Sequence, residues 1–464
     1  MNHPLAEPIC DHASTESDAL LLGWERNHRR AVGFSDALPS SESQSEPPVL
    51  FGGPHLMTVA PTGAGKGRCC AIPALLTYPG QMIVVDIKGE LYLTTHRRRR
   101  ELGQHVVKLD PFRVISPETD GLDPLDIVDL PNADIETDCQ TLAKLLSSGK
   151  EFTRDPFWHL IANSLNSGIL GYIASCEEPP QRSFARLCEI LHSDDVVYHL
   201  AVLLDTVGKR MPKMSYQEIT AFLQLPEKET RPSALATAQA FTKGLNGQRV
   251  VDALGKSSFS LEDFRRGEPM TIYLVLPPER LESHAGLLTL WFGTFLKAIF
   301  SRTVTPALRT LLLVDEAAQL GKFQMLETAI TLCRSYGVRI WTFWQNLQQL
   351  QECYPWGWKT IANNCLLQTF GITNRLMAEE LSQVLDCSAR DLLDMPKDEQ
   401  WLQFPNSQPI RSRRLDYLRD PRFAGLYDAN RFHSMHANGS PSKGASKVGL
   451  VTKINDPSPQ LSGF

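Results

Sequence analysis

The sequence predicts an α/β protein, a parallel sheet interrupted by an all-helical insertion. Three observations carry that prediction. The stretch HLMTVAPTGAGKG from His55 to Gly67 is an apolar strand running into a Gly-rich turn. Strand and helix patterns alternate from there to Leu109, as parallel βα units require. A long stretch of purely helical periodicity follows, and strand character returns only at Met270.

Taken in order, residues 1–49 read as a polar, acidic leader. A short helix is expected around 19–24, and Ser, Glu and Pro give 36–48 linker composition. The alternating segment then predicts strand 55–60, helix 66–76, strand 82–86, helix 90–102 and strand 105–109. Amphipathic helices, among them 135–146 and 157–174, fill residues 131–258, which read as an inserted all-α domain. That stretch carries 15 acids and 13 bases and is no basic arm. Strand 270–276, helix 286–300, strand 311–314, helix 325–336, strand 339–344, strand 366–372 and helix 375–385 complete the pattern. The domain built on the sheet is therefore expected to be discontinuous, 50–130 plus 259–432, and residues 433–464 are expected to form a disordered tail rich in Gly, Ser, Pro and Lys.

Composition sets further bounds. A chain of 464 residues with 42% hydrophobic content can bury a full core in more than one domain. Its ten cysteines lack metal-ligand spacing and read as reduced thiols of a cytoplasmic protein. The longest apolar stretches, 160–174 and 287–300, are short and interrupted, below the roughly 18 to 20 residues of a membrane span. Residues 1–40 lack a signal-peptide pattern. The net charge of −5 sits in the first 50 residues, which hold eight acids and three Arg, so the remainder is neutral. Neutrality argues against a broad basic surface and leaves room for a local basic channel. The run Arg97–Arg100 reads as a solvated helix end in preference to a binding patch.

Two motifs carry chemistry. In the loop Thr62, Gly63, Ala64, Gly65, Lys66, Gly67 and Arg68, small residues let successive backbone N–H groups converge on phosphates at a helix N-terminus, while Lys66 reaches the terminal phosphates. The general pattern G-x-x-x-x-G-K-S/T is met at Gly65 and Lys66. Ala60 stands at the first glycine, and Gly67 replaces the hydroxyl that ligates Mg²⁺. Alone, such a loop also fits a Gly-rich turn of another α/β fold. The second motif, LLLVDE from Leu311 to Glu316, places two acids at the C-terminal end of a buried strand, where open α/β sheets bind ligands. Asp315 is expected to hold Mg²⁺, and Glu316 to orient the water that attacks ATP.

Together with Ile72–Leu76, VVDIKGE from Val84 to Glu90, DPFW from Asp155 to Trp158, residues 259–277 and 311–345, these motifs resemble the type IV secretion coupling proteins, the TraG-like conjugation ATPases of the FtsK/HerA class. The resemblance runs from about residue 50 to about residue 425. It implies a RecA-like P-loop NTPase sheet with an inserted all-α domain, and it makes Gly67 a family variant. It also implies that Gln345 senses the γ-phosphate and that Arg334 enters the neighbouring subunit's site. A strand-end cap and a helix C-terminal Arg are the plainer readings of those two residues. The roles of Asp86, Lys88 and Glu90, which match a family motif, do not follow from their chemistry alone.

The implied function is an ATP- and Mg²⁺-dependent, ring-forming hexameric motor. It would deliver DNA, bound without sequence preference, or a DNA–protein conjugate to a type IV secretion channel, with a relaxase, relaxosome or effector proteins as partners. Family members carry N-terminal transmembrane helices. A leader of about 50 residues implies a cytoplasmic chain recruited to the inner membrane through a partner, or one with a missing anchor. The alternative is a nucleotide-binding docking adapter with little turnover.

Overall fold

The computed structural model describes residues 18–26, 46–148, 156–332, 334–405 and 407–430. The expected tail, most of the leader and Asp155 of the DPFW motif lie outside the described residues. Eleven strands among those described form one sheet: β1 (Leu20–Glu25), β2 (Pro48–Phe51), β3 (His55–Val59), β4 (Met82–Asp86), β5 (His105–Leu109), β6 (Met270–Val275), β7 (Thr310–Val314), β8 (Val338–Trp344), β9 (Leu366–Thr369), β10 (Glu399–Gln403) and β11 (Ile410–Arg414). The order across the sheet is β2-β1-β11-β10-β9-β3-β8-β7-β4-β6-β5.

From β9 to β5 every neighbouring pair is parallel. The cause is visible in β4, β7 and β8, whose residues are all buried, as strands covered on both faces must be. Alternate residues serve opposite layers. Ile83, Val85, Leu312 and Val314 join one hydrophobic cluster with the helices between β5 and β6, whereas Met82, Val84, Leu311 and Leu313 join another under helix Ile72–Thr77. The described part of 131–258 holds helices and no strand, as its periodicity predicts.

Three expectations need correction. The sheet is mixed, because β10, β11, β1 and β2 extend it antiparallel beyond β9. Residues 19–24 are not helical: Leu20, Leu22 and Trp24 bury one face of β1 between β11 and β2, and pairing settles a short apolar run that periodicity leaves ambiguous. The run Arg97–Arg100 is no uniformly solvated helix end. Arg99 is fully buried and donates to the carbonyls of Leu75, Tyr78 and Gly80 and to Thr271 Oγ1, stapling helix Glu90–Glu101 to the sheet.

The expected helix 66–76 has two parts. A π turn over Gly67–Ala71 leads into helix Ile72–Thr77, with the Ile72 N–H reaching back to Gly67 O. Such wide turns concentrate at functional sites. The expected helix 325–336 likewise stops at Leu332 and gives way to a tighter turn, Arg334–Tyr336.

Candidate nucleotide site

Because β3, β4, β7 and β8 are parallel neighbours, their C-terminal ends bring the loop after Val59, Asp86, Asp315–Glu316 and Gln345 to one edge. The loop is tied at its start, where Ala60 N–H donates to Trp344 O (3.0 Å). Gly63 and Gly65 have φ of +79° and +99°, values that L side chains rarely adopt. Lys66 is buried, and its ammonium donates to Ala60 O of its own loop (2.9 Å). A buried ammonium with that neutral acceptor suits an anion.

Glu316 has φ +53° and ψ +56°, the left-handed region, which costs a non-glycine residue of order 1 kcal/mol or more and is found preferentially at functional sites. Its Oε2 accepts from Gln345 Nε2 (2.9 Å), and the Gln345 N–H donates to Gln349 Oε1 (2.9 Å). The residue expected to orient the attacking water and the one expected to sense the γ-phosphate are therefore joined directly.

Burial, with the Glu316 carboxylate adding to it, pushes the Asp315 carboxyl up to about 6 against the pull of Lys66 and Lys88. Burial also raises Asp86 to about 7, although the N–H groups of Tyr92 and Leu91 favour its anion. Asp86 Oδ2 accepts from Tyr92 N–H (2.8 Å), so this carboxylate holds the first turn of helix Glu90–Glu101. A divalent ion beside two carboxyls so raised would favour their anions. Among the described residues no three His, Cys, Asp or Glu side chains form a metal cage. Mg²⁺ takes one or two carboxylates and fills its shell with water and phosphate oxygens, a demand that Asp315 and Asp86 could meet.

Two predicted residues stand elsewhere. Arg68 donates Nε and Nη2 to Asp416 (2.6 Å each), so a phosphate would have to displace that carboxylate to use it. Arg334 is exposed at the entry of β8, close enough to His55 at the start of β3 to act on its charge. Seven residues of β8, about 20 to 25 Å of strand, separate it from Gln345. It is not part of the constellation that its own chain builds.

The sequence reading missed a second wall. Arg414 Nη1 donates to Ala64 O (2.9 Å), and Gly371 approaches so closely that a Cβ there would lie 2.8 Å from Ala64 Cβ. Gly371 follows β9, the last parallel strand, whereas Arg414 comes from the antiparallel edge, whose polar strands EQWLQ and IRSRR carry no apolar alternation that would announce it.

The family model described as Type IV secretory system Conjugative DNA transfer matches residues 25–386. Protein VirD4 of Rhizobium radiobacter is 30% identical over 330 residues, covering 69% of this chain and 46% of that protein. The type IV secretion system-coupling protein VirD4 of Bartonella henselae is 24% identical over 423 residues, covering 82% of this chain and 65% of that one. The chain thus spans about half to two thirds of the length of these relatives. Among solved structures, the conjugative coupling protein TrwB, unbound, superposes with a TM-score of 0.61 at 16% identity, covering 77% of this chain and 84% of that one. TrwB in complex with ADP and Mg²⁺ gives 0.60 at 16%, with the same coverage. The P-loop NTPase fold is the one that the strand order describes, and by the extent of the family match the chain belongs to the type IV secretory system family of conjugative DNA transfer proteins.

Proposed function

We propose that the chain is an ATP-hydrolysing motor that works as a ring of copies and drives DNA, or a DNA–protein conjugate, toward a type IV secretion channel. The observation that carries the reading is the hydrogen bond between Glu316 and Gln345 at the mouth of the phosphate loop, built on a strained Glu316 backbone. A site that only held nucleotide would not need a carboxylate kept in that geometry.

In this reading the N–H groups of the loop bind the β- and γ-phosphates of ATP, and Lys66 leaves Ala60 O to join them. Asp315, with Asp86 behind it, holds the cation. Mg²⁺ bound there supplies charge neutralisation at the phosphates. Glu316 orients the attacking water, and Gln345 exchanges Glu316 for the γ-phosphate as the nucleotide state changes. Gly67 would leave the place of the usual hydroxyl ligand to another oxygen or a water. Arg334 serves the site of the adjacent copy, since its own lies a strand length away. The TrwB complex with ADP and Mg²⁺ supports the nucleotide by likeness of fold, and the VirD4 relatives support the secretion partner by family. Among the described residues no helix is long and apolar enough to cross a membrane, so attachment to the channel would run through a partner or through an anchor outside them.

The test is DNA-stimulated ATP hydrolysis at a protein concentration where oligomers form, comparing wild type with Lys66→Ala, Glu316→Gln and Arg334→Ala. The expected loss is about 10²-fold or more for each, with Arg334→Ala rescued in mixtures with Glu316→Gln, because each supplies what the other lacks. Equal background rates in wild type and variants would leave the docking adapter as the function.

A further inference from the structure

We propose that Arg414, on the antiparallel edge of the sheet, is a positioning residue of the phosphate loop: by holding the Ala64 carbonyl it aims the Gly65 N–H at the phosphates. The inference rests on the nucleotide-binding part of the function above. It concerns a residue outside the stretch 25–386 that the family model matches.

In a trans peptide the C=O and the N–H of one plane point in opposite directions. The Ala64–Gly65 plane has its oxygen fixed by Arg414 Nη1 at 2.9 Å, so the Gly65 N–H is turned to the opposite side. The next plane is fixed from the other direction, because Cys69 N–H donates to Gly65 O (2.8 Å) and turns the Lys66 N–H away from the helix that follows. Two successive N–H groups are thereby oriented by bonds to the oxygens of their own planes. Glycine at φ +99° has little preference that would otherwise hold the turn.

Arg414 is itself held. Its Nη2 donates to Lys397 O, its N–H donates to Asp398 O (2.7 Å), and its guanidinium lies over the Phe370 ring at 4.7 Å. Two residues on, Asp416 grips Arg68 in the first turn after the loop. Between these braces, Gly371 comes within contact of Ala64. A buried side-chain chain supports them from below: Gln400 Oε1 accepts from Gln368 Nε2 (2.7 Å), and Gln368 Oε1 accepts from Thr58 Oγ1 (2.6 Å) on β3 and from Cys70 Sγ (3.4 Å) after the loop. The antiparallel edge is therefore joined to the loop at its carbonyl, at its helix and at its strand.

The experiment measures equilibrium binding of fluorescently labelled ADP to the full chain in wild type, Lys66→Ala, Arg414→Gln and Arg414→Lys, with thermal midpoints taken without nucleotide. A hydrogen bond from a charged donor predicts about 10- to 100-fold weaker binding for Arg414→Gln and a smaller loss, about 3- to 10-fold, for Arg414→Lys, which keeps the charge and one donor but loses the stacked, forked geometry. The midpoint of at least one variant should stay within about 3 °C of wild type. A folded variant that binds within about twofold of wild type overturns the proposal, as does failure of both variants to fold, which would assign Arg414 to the hairpin alone. Wild type binding no better than Lys66→Ala sinks the nucleotide reading itself and is told apart by that arm.

Discussion

Replacing Gly63 by alanine separates what the loop needs for folding from what it needs for binding, and a matched control exists in the same chain. Gly63 and Gly103 share φ +79°, and a Cβ built on either meets nothing within 4 Å. Gly103 sits in the turn between helix Glu90–Glu101 and β5, at the edge of the sheet away from Lys66. With no overlap to relieve, the cost of each alanine is the left-handed backbone alone, about 1 kcal/mol. In a chain of this size that lowers the melting midpoint by about 1 to 3 °C. At Gly103 nothing more follows. At Gly63 the open space is where phosphates would approach the backbone in the proposed function, and a methyl group there would remove N–H contacts that charged phosphates share. Two such bonds at roughly 1.5 to 3 kcal/mol each predict at least about 10²-fold weaker ADP binding. The assay is thermal unfolding with and without ADP and Mg²⁺. Gly103→Ala should keep the full nucleotide-induced rise from a slightly lower baseline, and Gly63→Ala should lose the rise from the same baseline. A Gly63→Ala protein that still rises like wild type would refute a phosphate-binding role for this turn.

Two further outcomes concern the sheet itself. His55 is buried beside Arg339, and burial followed by that charge lowers its imidazole to about 3. The unfolded chain therefore takes up a proton near pH 6.5 that the folded chain refuses, so this residue's contribution to stability is complete above 6.5 and falls by up to about 1.4 kcal/mol per pH unit toward 3. Asp86 and Asp315, raised to about 7 and about 6, act in the opposite sense, contributing stability that is lost as pH rises through those values. The measurement is consequently a difference: denaturant unfolding of wild type minus His55→Gln between pH 7 and pH 4.5 should shrink as the pH falls, and a constant difference would contradict the buried neutral ring. At Gln368, replacement by leucine leaves the Gln400 carbonyl oxygen and the Thr58 hydroxyl short of buried partners. A loss of about 2 to 4 kcal/mol is expected, and Gln368→Leu with Gln400→Leu should cost less than the sum of the two single changes; strict additivity would show that the two amides do not act together.

The legible parts of this molecule are those whose signal is contiguous. The loop, the acids after β7 and the glutamine after β8 each follow an apolar run, and parallel packing sends every one of those runs to the same edge, so reading strands was nearly enough to assemble the constellation. The edge strands carry no such signal. β1 is a six-residue apolar segment whose state is decided by partners far away in sequence, Arg414 and Phe51 among them. β10 and β11 interleave Glu, Gln and Arg because their inward polar groups bond one another, as Gln400 does with Ser412 (3.0 Å). Arg414 is invisible for the same reason: its value lies in a carbonyl 350 residues earlier, and nothing local marks it.

The position of Arg334 decides what kind of unit the site belongs to. Its turn lies at the N-terminal edge of the sheet, beside the start of β3, whereas Lys66, Asp315, Glu316 and Gln345 lie at the C-terminal edge. Side-chain motion cannot close that gap, since an extended arginine reaches only about 7 Å from its Cα and the strand between them spans about three times that length. An arginine that acts on phosphate from there must act on another copy, placed so that the N-terminal edge of one sheet meets the C-terminal edge of the next. Where each copy serves only the next, that contact is heterologous, and repeating it gives a closed ring or an open filament. Hydrolysis at one site would then be sensed across a subunit boundary. This is why the activity of Arg334→Ala in mixtures, more than its activity alone, bears on whether the chain works as a motor.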